Sequence, residues 1–307
     1  MSRRTAILAW LVPLLGVAEL IAHFVFARCA PDSSDWAALG PALRALHQPG
    51  DLIVVAPGWA DPLLRRSLGD SLLPLDVVAR ADDDGFTRAL EVSFGGARSR
   101  ALESWHERRH TSVGPFSVRV LNNPDPSVAQ WSLLDHAKPP DLEVSILRGG
   151  TSVPCAYTTA AIPVAGGLGG DPTLSAQRFV CLGGSPFVVT TTIIDDERYL
   201  PRRCLWAHPN PFGPLRLLIH QITLGRKLVG HAGFPWLLSR DGAGIPVTIT
   251  ARVDGRLLDS VEVRDTQGWT RFEWPTGGLQ GRAADLELRI ESQEVNDQRL
   301  CFTLESR

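Results

Sequence analysis

The stretch PVTITARVDGRLLDSVEV, residues 246–263, decides the fold class for the larger part of this 307-residue chain. Apolar and polar residues alternate on both sides of Asp254-Gly255, and such alternation is typical of half-buried strands. An Asp-Gly pair between two strand-like runs favours a two-residue hairpin turn, because that turn needs positive φ at its central residues. The stretch therefore predicts an antiparallel β-hairpin.

Short strand-like runs separated by turn residues continue along the chain from residue 142. These runs are LEVSIL, RFVCL, FVVTTTII, LRLLIHQI, TRFEW, DLELRIES and RLCFTLE. Many short strands spaced by turns are typical of an antiparallel sandwich. We therefore expect a β-sandwich, specifically a jelly roll, over 142–307.

Residues 34–122 show a different pattern, in which helical and strand-like runs alternate. The expected helices are SDWAALGPALRALHQPGD, ADPLLRRSLGDSL and residues 98–108, and the expected strands are 51–57, 75–80, 89–94 and 115–121. Alternation of this type predicts a small three-layer α/β domain. A Pro- and Asp-rich stretch at 123–141 is expected to link this domain to the β-sandwich.

The first 29 residues predict a signal-anchor transmembrane helix. After Arg3 and Arg4, the apolar run at 5–27 would form a helix about 34 Å long, which is enough to cross a bilayer. The positive-inside rule then places the N-terminus in the cytoplasm and the rest outside, in the periplasm or at the cell surface. Glu19 and His23 lie four residues apart, on one face of this helix. Ionisable groups are costly in a membrane, so these two either contact a membrane partner or are accommodated by protonation of Glu19 and snorkelling of His23.

Four cysteines fall in the part of the chain that is expected outside the cytoplasm. In an oxidising compartment, four thiols predict two disulfides with three possible pairings. We favour Cys155–Cys181 together with Cys204–Cys301. The net charge of −2 argues against nucleic-acid binding. The sequence contains neither GxGxxG nor GxxxxGK[ST], the motifs that would indicate a nucleotide-binding site.

The octapeptide RRCLWAHP, residues 202–209, brings a thiol and an imidazole close together in the sequence. Cys204 and His208 are four apart in a strand-like run, which separates them by roughly 13 Å and argues against a Cys–His catalytic pair. A zinc site from Cys204, His208, His220 and His231 would lack any short paired spacing. We therefore predict no catalytic residue and no metal ligand, with no cofactor. Calcium at Asp195–Glu197 or Asp82–Asp84 remains the alternative.

Two stretches resemble known families. The run from DWAALGPALRALHQPGDLIVVAP to ALEVSFGGAR, within 35–100, resembles the extracytoplasmic α/β domain of membrane glycosyltransferases of the dolichyl-phosphate-mannose protein mannosyltransferase type. That family's catalytic acidic residue lies in a membrane-adjacent loop without a counterpart here, so this resemblance implies no activity. Residues 247–305 are similar to galactose-binding-like jelly rolls, which are common as carbohydrate-binding modules.

A sugar-binding surface combines an aromatic face with a few fixed polar groups. The candidate ligand-binding residues are Arg203, Trp206, His208, His231, Trp236, Arg240 and Asp241, unless the tryptophans fill the core. We expect a non-enzymatic envelope protein that binds or scaffolds glycan or a glycan-handling membrane partner. The alternatives are an accessory subunit or enzyme of envelope glycosyl transfer or glycoside hydrolysis, with a carboxylate pair formed only by folding, and a structural ectodomain.

Overall fold

The computed structural model describes residues 12–24, 30–161, 174–184, 187–237, 245–295 and 299–307. The chain divides into two compact units. The first comprises the chain up to Pro74 together with Phe86–Pro126, and the second comprises Leu75–Gly85 together with Ser127–Arg307. Residues 75–85 therefore belong with the second unit, although in sequence they interrupt the first.

Residues 12–24 form an exposed helix that carries Glu19 and His23. No helix among the described residues is both long and apolar enough to cross a membrane. The two ends of the predicted transmembrane helix, residues 1–11 and 25–29, lie outside the described residues.

Besides the helix at 12–24, the described part of the first unit contains a four-stranded sheet and two α-helices. Its elements in chain order are α1 (Ser33–Leu46), β1 (Leu52–Ala56), α2 (Asp61–Leu68), β2 (Arg88–Ser93), β3 (His106–Val113) and β4 (Phe116–Asn122). The strand order is β1-β2-β4-β3, with β1 and β2 parallel and the other pairs antiparallel. The predicted strands at 51–57, 89–94 and 115–121 are confirmed.

Helix α1 begins at a capping box. The Asp32 carboxylate accepts hydrogen bonds from the Ser34 and Asp35 backbone N–H groups, and the Asp35 carboxylate accepts one from the Asp32 N–H. The N-cap residue is therefore Asp32, and the helix begins at Ser33, one residue before the start of the predicted helical run. Trp36, Leu39 and Leu43 recur at helical spacing and are buried, as the sequence pattern predicts.

Two predicted elements of this region are wrong. Residues 75–80 are not a strand, because Leu75–Val78 forms a short helix, α3, in the second unit. Residues 98–108 are not a helix, because a single 3-10 turn at Arg100–Leu102 leads directly into β3, which pairs with β4. Strand pairing overrides the helical propensity of that stretch.

Helices α1 and α2 contact one another directly. Together with the four-stranded sheet they make the first unit a mixed α/β unit, and its three-layer arrangement stays a prediction.

The second unit is built from antiparallel strands. They are β5 (Trp131–Ser132), β6 (Leu142–Arg148), β7 (Thr151–Pro154), β8 (Ala156–Thr158), β9 (Arg178–Val180), β10 (Val188–Asp195), β11 (Pro201–Ala207), β12 (Leu215–Thr223), β13 (Lys227–Gly233), β14 (Pro246–Val253), β15 (Arg256–Arg264), β16 (Thr270–Pro275), β17 (Ala283–Ser292) and β18 (Cys301–Ser306). Among the described residues, one sheet has the order β16-β13-β18-β11-β10-β9-β8, with β5 also paired to β18, and the other has the order β15-β14-β17-β12-β6-β7.

Both sheets contribute buried side chains to one apolar core, as in a β-sandwich. Residues Val247, Ile249, Ala251 and Val253 alternate into this core from β14. Asp254 and Gly255 connect β14 to β15 with φ values of 47° and 78°, so the predicted two-residue hairpin is confirmed. The β5 strand lies within the stretch that was expected to be a linker, and it pairs with β18.

The two disulfides are the ones that the sequence favours, Cys155–Cys181 and Cys204–Cys301. Cys204 and Cys301 lie on adjoining strands, with Trp206 directly opposite Cys301. All four sulfur-bearing side chains are buried. Two buried disulfides are typical of a protein outside the cytoplasm, in agreement with the predicted compartment.

Candidate functional site

Strand β11 and the residues after it carry two aromatic side chains from the RRCLWAHP stretch. Trp206 is 2% exposed and packs with the Cys204–Cys301 disulfide in a small apolar cluster. His208 is 3% exposed, and its ring lies 5.0 Å from that of Phe187. Neither ring therefore offers a face to a ligand in solution.

Arg203, the third candidate from this stretch, is half-buried and already engaged. Its guanidinium lies 2.8 Å from the Asp76 carboxylate, and its backbone N–H donates to the Ala79 carbonyl at 2.7 Å. The structure thus places Arg203 against the segment around α3, whereas Trp206 and His208 are buried. The three residues do not form a common binding surface.

His231, on β13, is also an interior residue. Its side chain is 5% exposed, its ring stacks at 6.2 Å on Trp269, and its Nε2 lies 3.4 Å from Asp82. Burial lowers the pKa of His231 to about 4, and the nearby Arg307 and Arg271 guanidinium groups add to this effect against the opposing charge of Asp82. The imidazole is therefore neutral at pH 7.

Trp236 is a sequence candidate that lines an open cleft together with other aromatic and polar side chains. It follows β13, and its ring lies 5.2 Å from that of Tyr199 at an angle of 50°. Tyr199 is 65% exposed. The cleft encloses about 320 Å³, and it is lined by Glu197, Tyr199, Trp236, Asp265, Thr266, Gln267 and Gly268.

The turn that presents Tyr199 is fixed by a buried aspartate. The Asp196 carboxylate accepts hydrogen bonds from the Arg198 and Leu200 backbone N–H groups, both at 2.9 Å, and from Arg202 Nε at 2.8 Å. An aspartate that binds its own turn in this way stabilises a tight reversal of the chain. Tyr199 lies in the β10–β11 turn with a φ of 59°, and its side chain is exposed.

The opposite wall of the cleft is a 3-10 turn at Asp265–Gln267, followed by Gly268 with a φ of 70°. Glu197 joins the two walls, because its carboxylate accepts a 2.9 Å hydrogen bond from the Trp269 backbone N–H. A Cβ atom at Gly268 would collide with that carboxylate. The glycine is therefore required both for its positive φ and for the close approach of Glu197.

The acidic runs are used within the fold. Asp196 and Glu197 accept hydrogen bonds from the turns just described, and Asp82 accepts two from Arg307. No group of three or more His, Cys, Asp or Glu side chains among the described residues could hold a metal ion. The calcium alternative at Asp195–Glu197 or Asp82–Asp84 thus gains no support from them.

Several sequence candidates remain apart from this cleft or outside the structure. Arg240 and Asp241 lie outside the described residues. Glu19 and His23 lie on the helix at 12–24, four residues apart and exposed.

Sequence reasoning missed Tyr199, Thr266 and Gln267. The available signal was the position of Tyr199 in a turn next to an acidic run, with only two tyrosines in the chain.

The sequence matches no protein-family model and no curated protein. Three solved structures from Clostridium perfringens show distant similarity in fold. The CBM51-2 and INT domains of ZmpB match with a TM-score of 0.28 and 10% identity over 38% of this chain and 26% of that one. The CBM51 of GH95, in complex with methyl-galactose, matches with a TM-score of 0.27 and 9% identity over 38% of this chain and 80% of that one.

The M60 catalytic domain with CBM51-1 and CBM51-2 of ZmpB matches with a TM-score of 0.28 and 9% identity over 66% of this chain and 20% of that one. This chain therefore spans about a quarter of the first ZmpB structure. None of these three is a mannosyltransferase, so the resemblance of residues 35–100 to that family finds no support among them.

Proposed function

We propose that the β-sandwich unit binds carbohydrate in the cleft that Tyr199 and Trp236 both line. The observation that supports this proposal is the pair of aromatic rings, 5.2 Å apart, at the rim of a cleft that also holds polar side chains. The C–H face of a sugar ring packs on aromatic side chains, while its hydroxyl groups need a few fixed donors and acceptors. Gln267, Thr266 and Glu197 supply both kinds of group.

The size and charge of the cleft restrict the kinds of sugar that could bind there. A volume of about 320 Å³ is near the lower limit for small-molecule sites, which favours one sugar unit or the end of a glycan chain. Among the described residues that line the cleft, Glu197 and Asp265 are the ones with carboxyl groups, and none is basic. We therefore expect a neutral or amino sugar rather than an acidic one, because like charges repel.

Other parts of the proposal depend on the sequence. We propose that the sandwich is a galactose-binding-like jelly roll and that the protein acts outside the cytoplasm as a binding or scaffolding protein of the envelope. Attachment to a membrane through residues 1–29, and contact of Glu19 and His23 with a membrane partner, remain predictions. Extraction of the native protein at alkaline pH tests attachment, because a peripheral protein is released and an anchored one stays with the membrane.

Binding to a glycan array, followed by calorimetry with the best sugar, tests the site. We expect Tyr199→Ala and Trp236→Ala each to weaken binding at least tenfold, about 1.4 kcal/mol, because each removes a stacking face. Trp59→Ala is the matched control. Trp59 is as exposed as Tyr199, at 65%, but it does not line the cleft. Absence of binding to any glycan, or unchanged binding by both cleft variants, would rule the proposal out.

Glycoside hydrolysis is the second candidate, because Glu197 and Asp265 line the same cleft. Two carboxyl groups that flank a bound sugar are the usual catalytic pair of glycosidases. Glu197 is engaged by the Trp269 N–H and Asp265 is 5% exposed, which favours a structural role for both. Release of reducing sugar from the bound glycan, abolished by Glu197→Gln, would favour hydrolysis over binding.

A further inference from the structure

A second cleft of the β-sandwich unit lies between the β14–β15 hairpin and the connection from β16 to β17. It encloses about 380 Å³, and its apolar walls come from Val253, Leu257, Leu258 and Leu279. Leu258 and Leu279 pack with their inner sides against the core, whereas Leu257 is 62% exposed next to the polar hairpin turn. A concave, mainly aliphatic surface of this volume falls within the range of small-molecule sites.

The hairpin wall of this cleft is held by β17. The Asp254 backbone N–H donates to the Asp285 carbonyl at 2.9 Å, and the Asp285 N–H donates to the Asp254 carboxylate at 3.1 Å. The same carboxylate accepts a 2.7 Å hydrogen bond from Arg282 Nη2, which comes from the opposite wall. The two walls are therefore joined by a direct ion pair.

The opposite wall is held by the turn between β12 and β13. Thr276 Oγ1 donates to the Gly225 carbonyl at 2.7 Å. The Gly281 backbone N–H donates to the Leu224 carbonyl, also at 2.7 Å. Because neighbouring strands and turns fix both walls, the cleft is formed before any ligand enters, which lowers the entropic cost of binding.

The charges at this cleft favour an anionic ligand. Among the described residues that line it, the charged ones are Arg256, Arg282 and Asp254, which leaves one positive charge in excess. Arg256 is exposed and forms no ion pair with any described residue, and Arg282 is 59% exposed although it pairs with Asp254. A guanidinium has five N–H donors, so both arginines retain donors for a ligand carboxylate.

This cleft differs from the Tyr199–Trp236 cleft in lining, charge and place. None of the described residues that line it is aromatic, so it lacks the flat face on which a sugar ring packs. Strand β15 runs from Arg256 at this cleft to Arg264, just before the wall of the other. Nine extended residues put the two clefts roughly 25–30 Å apart, so each can bind its own ligand.

We propose that this second cleft binds small aliphatic carboxylates. The carboxylate accepts hydrogen bonds from Arg256 and Arg282, and the alkyl chain packs on Leu257, Leu258 and Leu279. The volume is near the lower limit for small-molecule sites, which favours a chain of medium length over a long one. The proposal does not depend on the carbohydrate hypothesis, because the two clefts share no lining residue.

Titration of the full-length chain with hexanoate, octanoate and hexanol, followed by ligand-observed NMR, tests the proposal. Each fully buried methylene group tightens binding about fourfold, so octanoate should bind roughly 15-fold more tightly than hexanoate. Hexanol has the alkyl chain without the charge, and it should bind at least tenfold more weakly than hexanoate. Equal affinities for hexanoate and hexanol would overturn the proposal, because the arginines would then contribute nothing.

Variants of exposed residues assign the binding to this cleft rather than to another apolar part of the chain. Arg256→Gln and Leu257→Ser should each weaken octanoate binding at least fivefold, and thermal unfolding checks that both still fold. The matched controls are Arg108→Gln and Val128→Ser, which change exposed residues that do not line the cleft. These controls should bind octanoate like the unmodified chain. Unchanged binding by both cleft variants, or no octanoate binding by the unmodified chain, would overturn the proposal.

Discussion

Two aromatic regions of the second unit differ in what they can do, although the sequence suggests the same role for both. Trp206 lies within β11, where it is paired with Thr190 on one neighbouring strand and with Cys301 on the other, and it is 2% exposed. Tyr199 and Trp236 lie where the chain leaves a strand, and Tyr199 is 65% exposed. The comparison teaches that position within the sheet, rather than residue type, decides whether an aromatic ring is available to a ligand.

The interior region should show its largest effect when its disulfide is removed. Replacing Cys204 and Cys301 together by alanine opens a loop of 97 residues, for which the chain-entropy model gives a loss of about 4.7 kcal/mol. The same change at Cys155 and Cys181 opens a loop of 26 residues, and the expected loss is about 3.5 kcal/mol. Urea unfolding of both double variants measures the free energies. A larger loss at Cys155–Cys181 would contradict the entropic account.

Trp206→Ala should also destabilise the protein strongly. A buried tryptophan replaced by alanine leaves a cavity and costs about 3–5 kcal/mol. Chemical unfolding measures the loss, and glycan binding by the fraction that stays folded should be unchanged. A Trp206→Ala variant that is stable but has lost glycan binding would show that Trp206 contacts the ligand. The contrast between a buried and a ligand-binding aromatic region would then be wrong.

Much of the β-sandwich could be predicted from the sequence, because its signals are local. The alternation in β14 and the Asp254-Gly255 turn depend on adjacent residues, and both are found as expected. The errors arise where distant contacts decide. Residues 98–108 have helical propensity, yet His106–Val113 pairs with β4. Residues 75–80 resemble a strand, yet Leu75–Val78 is a short helix, and Arg202, more than a hundred positions later, donates a hydrogen bond to the Arg80 carbonyl.

The candidate site could be predicted only in part, and for a similar reason. Trp236 was found because an aromatic residue in a polar loop is an ordinary binding signal. Tyr199 was missed because its exposure depends on the turn that Asp196 holds, and Gln267 because it meets that turn only after folding. His231 is a predicted ligand-binding residue like Trp236, but β13 continues through it and its side chain is buried.

Acidification should distinguish the buried His231 from an exposed histidine. The pKa of His231 is lowered to about 4, below its unfolded value of about 6.5, so the unfolded state binds more protons between these pH values. Stability should therefore fall by about 3 kcal/mol as the pH is lowered from 6.5 to 4. Burial opposes ionisation of Asp82, but the hydrogen bonds and charges of Arg307 lower its pKa overall, which adds a loss of the same sign at still lower pH.

Urea midpoints measured between pH 7 and pH 4 check this dependence. His231→Gln should flatten the decline over that range, because the side chain that gains a proton on unfolding is gone. His106→Gln is the matched control, since His106 is exposed on β3, and it should leave the decline as it is in the unmodified protein. An equal decline in all three proteins would show that other groups cause it.

The smallest change in stability is expected at the rim of the cleft. Tyr199 projects into solvent and packs mainly on Trp236, so Tyr199→Ala should change the free energy of unfolding by less than about 0.5 kcal/mol. Gly268→Ala should cost more, because the added Cβ displaces Glu197 and the residue must keep a φ of 70°. Thermal unfolding compares the two variants. If Tyr199→Ala were the more damaging, Tyr199 would be a structural residue of the turn, and its exposure would no longer argue for ligand contact.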